Sequence, residues 1–146
     1  MIDALQTLRN KVAEYQGKGI GADYRIPALW IDPRQPGDDR VRSADAVSFF
    51  LEGMDAVLAH EDLTPETMGN NGEWTRDAVV YNMFTRLTTA WDHDGDGRIG
   101  LEDLPGGLRE TGTFLKSIAL LPFMKMLGVN TIHLLPITLI GSDGNK

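Results

Sequence analysis

The chain has 146 residues, of which 42% are apolar and 24% are charged, and these proportions are typical of a globular domain with a hydrophobic core. Its formal net charge of −7 argues against nucleic acid or an anionic membrane surface as a partner, because either would repel it. The absence of cysteine excludes disulfide bonds, thiolate metal sites and cysteine nucleophiles.

The first predicted element is an amphipathic helix, which glycines within residues 17–21 would end. Its apolar positions recur at helical spacing and are Ile2, Leu5, Leu8, Val12 and Tyr15. Charged residues interrupt these positions, so the segment does not resemble a secretory signal, and no apolar run reaches the ~18 residues of a membrane span. We therefore expect a cytoplasmic protein. The glycine-rich stretch lacks the spacing of a phosphate-binding loop and is interpreted as a linker.

A second helix is predicted to begin after Ser43, as its N-cap, and to run to about His60. Its apolar stripe consists of Val47, Phe50, Leu51, Met54, Val57 and Leu58. Before it, residues 24–30 are apolar but contain Pro27, which predicts an extended or looped segment. The polar stretch at residues 69–72 is predicted to separate a mostly helical N-terminal region, residues 1–72, from a second region, residues 73–146.

The second region has the pattern of a strand, a helix and a further strand. Residues 79–84 and 131–135 are rich in β-branched and aromatic side chains, which predicts two buried strands. Residues 114–127 have helical composition, with Gly128 as the C-terminal cap and Pro122 marking a kink or a new helix start. A crossover helix between two strands predicts a parallel pair, and so an α/β fold.

Between these strands, residues 92–103 have the spacing of a calcium-binding loop. Asp92, Asp94, Asp96 and Asp103 stand at loop positions 1, 3, 5 and 12, which are ligand positions for a hard cation. Gly97 at position 6 permits the sharp turn, and the Arg98 carbonyl at position 7 would supply a further oxygen. An aspartate at position 12 reaches the ion less easily than the usual glutamate, so we expect modest affinity or competition by magnesium. Ile99 is expected to face inward.

The segments that flank the loop do not match a complete EF-hand, which needs a helix on each side. A strand is predicted upstream, and residues 105–107 (Pro-Gly-Gly) would interrupt a helix downstream. We interpret the loop as a structural clip after a strand. Two alternatives stay open: a small EF-hand-like calcium-binding module without enzymatic activity, and an acidic solvated loop without a metal.

Two segments resemble the α-amylase family, glycoside hydrolase family 13. Residues 80–86 (VYNMFTR) are similar to its first barrel strand, and residues 127–137 (LGVNTIHLLPI) are similar to the end of its first helix and its second strand. The resemblance implies the start of a (β/α)8 TIM barrel, comprising the first two strands and the intervening helix. It also implies calcium at Asp92, Asp94 and Asp96. Gly100 stands where family members tend to have a further aspartate, which places more weight on Asp103.

The activity that the resemblance implies is hydrolysis or transfer on α-linked glucans by a retaining double displacement. The nucleophilic aspartate, the acid/base glutamate and the stabilising aspartate of the family lie on later strands, beyond Lys146, so no catalytic residue is assigned here. We therefore expect this chain to be an N-terminal fragment that is inactive by itself. His133, on the second strand, is expected to be a buried, hydrogen-bonded histidine and not a metal ligand.

Overall fold

The computed structural model describes residues 1–22, 24–27, 41–60, 72–104 and 107–137. The elements in chain order are α1 (Ile2–Ala13), β1 (Tyr24–Pro27), β2 (Val41–Ala44), α2 (Ala46–Leu58), a 3-10 helix (Glu73–Arg76), β3 (Val80–Met83), α3 (Thr85–Thr88), α4 (Phe114–Ile118), α5 (Leu121–Met126) and β4 (Thr131–Leu134). This mixture of helices and small sheets agrees with the predicted α/β class. No helix in the described ranges combines the length and the apolar character that crossing a membrane requires.

Helices α1 and α2 pack against each other, and both were predicted from their apolar spacing. Leu5, Leu8 and Val12 are buried on α1, and Arg9 forms an ion pair with Asp55 of α2 at 2.8 Å. The predicted cap at Ser43 is wrong, because that residue belongs to β2. Asp45 is the actual N-cap, since its extended backbone lets the carboxylate accept from the amides at positions 47 and 48.

The extended segment predicted around Pro27 is confirmed for its described part. Strand β1 pairs antiparallel with β2, and Tyr24 lies opposite Ala44 in the register. Pro27 occupies the last position of β1, where a missing amide disturbs a ladder least. The described part of the N-terminal region therefore contains a two-stranded sheet as well as two helices. The boundary predicted at residues 69–72 lies almost wholly outside the described residues.

Strands β3 and β4 form the predicted parallel pair, with Val80 opposite Thr131. Their predicted full burial is wrong: Val80 is 53% exposed, and His133 and Leu134 are exposed as well. The described sheet has two strands and packs only one face on the core, largely through Met83. His133 is hydrogen-bonded, as expected, through Nδ1 to the Asn82 side-chain oxygen at 2.7 Å, but it is not buried.

The helical segment after the loop divides into α4 and α5 at Ala119 and Leu120, and Pro122 lies in the first turn of α5. A new helix start, one of the two predicted outcomes, is therefore confirmed. Gly128 caps α5 in the left-handed conformation, with φ 82°. The amide of Gly128 donates to the Lys125 carbonyl and that of Val129 to the Met124 carbonyl, each at 3.0 Å.

The buried core joins residues from both predicted regions. Phe123 of α5 stacks on Phe49 of α2, with ring centroids 4.3 Å apart. Trp91, just before the acidic loop, lies 5.9 Å from the Tyr15 ring that follows α1. These contacts hold the start of the loop against the core, and the loop's acidic residues extend outward from it.

Candidate metal centre

Asp92, Asp94 and Asp96 form a cluster at the tip of the loop. One carboxylate oxygen from each lies within 4.8 Å of the other two. Two oxygens that bind one calcium ion at about 2.4 Å lie at most about 4.8 Å apart, so the cluster has the size that such an ion requires. These three residues can hold a metal ion.

Turns in the backbone of the loop bring these side chains together. Gly95 and Gly97 adopt left-handed conformations with φ of 82° and 81°, which other residues rarely adopt. The predicted sharp turn at Gly97 is therefore confirmed. Asp92 accepts hydrogen bonds from the amides of Gly95 at 2.5 Å and Gly97 at 2.8 Å. The turn residues thus point back at the first carboxylate of the loop.

Asp92 and Asp94 differ in their electrostatics. Burial acts to raise the pKa of Asp92, but hydrogen bonds from the amides of Gly97, Gly95 and Asp94 outweigh it and hold that pKa below its usual value. For Asp94, a hydrogen bond from the Asp96 amide lowers the pKa, while desolvation and the neighbouring carboxylates raise it, and the net shift is upward. A bound cation would relieve the repulsion between Asp94 and the neighbouring carboxylates.

Two further residues were predicted as ligands. The amide of Arg98 donates to the Asp96 carboxylate at 2.8 Å, so the Arg98 backbone lies next to the cluster. The role of the Arg98 carbonyl as a ligand stays a prediction. Asp103 lies outside the cluster. Both of its oxygens face the Arg109 guanidinium, and the two residues also form an isolated antiparallel bridge. Asp103 therefore has a partner already, and its role as a ligand stays a prediction.

Ile99 was predicted to face inward, and this is wrong: it is 43% exposed. An apolar anchor at this position works when a second loop or helix covers it, and here it lies on the rim of an open cleft. The cleft has a volume of about 640 Å³. Among its lining residues are Tyr24, Tyr81, Phe84, Trp91, Asp92, Gly97 and Arg98.

The inner side of the loop is held by a residue that the sequence analysis missed. Glu110 is 2% exposed, and its Oε1 accepts from the amides of His93 at 2.9 Å and Asp94 at 3.3 Å. Its Oε2 accepts from the amide of Gly100. No spacing rule connects residue 110 to this loop, because the contact depends on how the following segment folds back.

Beneath the loop lies a buried pair, His93 and Lys116, with Nε2 and Nζ 3.2 Å apart. Lys116 Nζ also donates to the carbonyls of Arg109, Glu110 and Thr111. Burial, together with the smaller effect of the Lys116 charge, lowers the pKa of His93 to about 3, so the imidazole is neutral at pH 7. His93 thus acts as a core residue that ties the loop to α4.

The segments beside the loop differ from those of an EF-hand. Upstream, α3 is a single turn that ends at Thr88, so a short helix separates the loop from β3. Downstream, the described part of residues 104–113 contains no helix, and α4 begins only at Phe114. The loop was predicted to be a structural clip after a strand, and the one-turn helix α3 lies between that strand and the loop. In the described residues the loop does not join two packed helices.

No family model matches the chain, and no curated protein matches it at a significant level. The α-amylase relationship therefore stays a prediction from the two segments quoted above, and calcium binding stays a prediction from the spacing and geometry of the loop.

Proposed function

We propose that this protein binds one calcium ion at Asp92, Asp94 and Asp96, with the Arg98 carbonyl as a further ligand. The observation that carries the proposal is the convergence of the three carboxylates to within 4.8 Å of one another. Calcium prefers oxygen ligands and tolerates irregular geometry, whereas magnesium demands a near-ideal octahedron and keeps more of its waters. A loop whose carboxylates are already oriented by backbone amides suits calcium better.

The ion's role is structural. It would join the two halves of an exposed turn that links β3 to α4, and its charge would offset the repulsion that raises the pKa of Asp94. A regulatory switch of the EF-hand type needs two helices whose angle changes on binding. The single turn of α3 on one side, and on the other a segment whose described residues contain no helix before α4, provide no such pair.

Calorimetric titration of the chain with calcium tests the proposal, with Asp96→Asn as the decisive variant. We expect one site in the parent and loss of measurable binding in Asp96→Asn, because that change removes a carboxylate from the cluster. Glu102→Gln is the matched control, since Glu102 is an exposed acid of the same loop outside the cluster. Asp103→Asn shows whether the loop's last aspartate leaves Arg109 to bind the ion.

Thermal unfolding provides a second test of calcium binding at the cluster. A ligand that binds only the folded state stabilises it by about 3 kcal/mol at a hundred times its dissociation constant, which corresponds to several degrees in Tm. Calcium should therefore raise the Tm of the parent and leave that of Asp96→Asn unchanged. Equal Tm shifts in both proteins would rule out binding at this cluster.

For the wider function, we propose that the chain is the N-terminal part of an α-amylase-type glycoside hydrolase or transglycosidase that acts on α-linked glucans. Its support is the parallel pairing of β3 with β4, the two segments that resemble the family's first two barrel strands, with helices between them. We expect no glucan hydrolysis by the 146-residue chain. Turnover of an α-glucan by the purified chain would contradict this. Reading the coding sequence after the codon for Lys146 tests the proposal itself, because the missing strands should be encoded there.

A further inference from the structure

Glu110 stands behind the acidic loop and accepts hydrogen bonds from its backbone amides. Its two carboxylate oxygens accept from three of them, those of His93, Asp94 and Gly100. These amides come from both arms of the loop, before and after the turn at Gly95 and Gly97. A single buried side chain therefore ties the arm that carries Asp92 and Asp94 to the arm that follows the turn.

The backbone of Glu110 is held as firmly as its side chain. Its carbonyl accepts from the Trp91 amide at 3.1 Å and from Lys116 Nζ at 3.2 Å. Lys116 also donates to the carbonyls on either side of residue 110, so the segment that carries Glu110 is anchored to α4. The position of the carboxylate is thus set by the core, independently of any ion.

We propose that Glu110 is the positioning residue of the cation site. It is not assigned as a ligand, because it is buried on the inner side of the loop and lies outside the cluster of the three aspartates. By fixing the arms before an ion arrives, it reduces the ordering that binding would otherwise require. Groups that orient metal ligands commonly change metal affinity by about 10- to 100-fold when they are removed. This inference rests on the proposed calcium site, and one of its tests does not.

Gly100 gives a second way to disturb the same contact. A methyl group on Gly100 would lie 2.9 Å from Glu110 Oε2, so the carboxylate and the loop backbone at residue 100 would have to move apart. The backbone of Gly100 is not in the left-handed conformation, so alanine adds no backbone strain there. Gly100→Ala therefore disturbs this contact while keeping the charge of Glu110.

The experiment compares the parent chain with Glu110→Gln, Gly100→Ala and the control Glu102→Gln. Amide hydrogen exchange, measured by NMR without metal, reports directly on the arms. We expect exchange at His93, Asp94 and Gly100 to accelerate at least about 10-fold in Glu110→Gln. The amides of Gly95 and Gly97, which Asp92 holds, serve as the internal reference.

Calcium titration and terbium luminescence then test the consequence for binding. Glu110→Gln and Gly100→Ala should weaken calcium binding about 10-fold or more. Glu102→Gln should weaken it by less than about 5-fold, the effect of one exposed charge. The luminescence lifetime of bound terbium should shorten in Glu110→Gln, because a loosened site admits more water, and a general loss of stability would not produce that change.

Parental calcium affinity and terbium lifetime in Glu110→Gln would overturn the inference, as would unchanged exchange at the three amides. If Glu110→Gln does not fold, Gly100→Ala decides by the same readings. If the parent binds no calcium, the proposed function fails, and amide exchange alone decides whether Glu110 orders the loop.

Discussion

Lys116 carries an amine that is almost wholly inside the protein, 2% exposed. Burial lowers its pKa to about 7 from the usual 10.5, against the opposing charge of Glu110. At a pH between these two pKa values, the Lys116 amine is protonated in the unfolded chain and neutral in the folded chain. The free energy of unfolding should therefore rise with pH across this window, and below it the contribution should be constant.

We predict that Lys116→Met removes this part of the pH dependence. Denaturant unfolding at a series of pH values from 7 to 10 measures the slope, which should be shallower in the variant than in the parent. Lys125→Met is the control, because Lys125 is exposed on α5 and should leave the slope as it is. Parallel curves for the parent and Lys116→Met would contradict the prediction.

The residues of the loop and the buried residues behind it differ in how well the sequence alone predicts them. Asp92, Asp94 and Asp96 were identified from spacing alone, because each contact in the turn joins residues at most five positions apart. The contacts of Glu110 and Lys116 with His93 span 17 and 23 positions. A local pattern contains no information about such pairs.

At the scale of elements, α2 meets the end of α4 at Gly53. A methyl group at this position would lie 1.9 Å from the Ala119 carbonyl oxygen. Glycine is therefore required here by the close approach of two elements, although it weakens a helix interior by about 0.5 to 1 kcal/mol relative to alanine. The clash is expected to outweigh that gain.

We predict that Gly53→Ala lowers the free energy of unfolding by about 1 to 3 kcal/mol, the usual cost of overpacking. Glu52→Ala, at the exposed neighbouring position of α2, should change it by less than about 0.5 kcal/mol. Chemical denaturation of both variants checks this. Stabilisation by Gly53→Ala would mean that α2 and α4 are farther apart than described.

The elements themselves were largely predictable where their signals are local. The spacing of apolar residues on α1 and α2, and Pro122 and Gly128 around α5, act through the backbone of their own segment. The cap of α2 was misplaced by two residues, because Ser43 and Asp45 are both good caps and only the pairing of β2 with β1 decides between them.

For the molecule as a whole, the exposed face of the β3–β4 sheet is a surface that favours self-association. Val79 and Val80 are each about half exposed, and in the described residues each strand has one edge without a strand neighbour. Exposed apolar strands with free edges tend to associate. Light scattering of the chain should therefore show a mass that grows with concentration.

We predict that Val80→Lys suppresses this association, because a charge on an exposed strand opposes pairing with another copy. Met126→Lys adds the same charge at an exposed position of α5 and should have a smaller effect. Equal suppression by both variants would point to net charge as the cause, and no suppression by Val80→Lys would exclude the sheet.

The sequence by itself determined the α/β content and the three aspartates of the loop, because these follow from periodicity and from contacts between near neighbours, and the parallel order of β3 and β4 followed from the helices between them. Tertiary structure alone decided that the strands are half exposed, that Asp103 pairs with Arg109, and that Glu110 lies behind the loop. Burial and long-range pairing depend on which distant segments fill the remaining space. That choice is made by the packing of the whole chain.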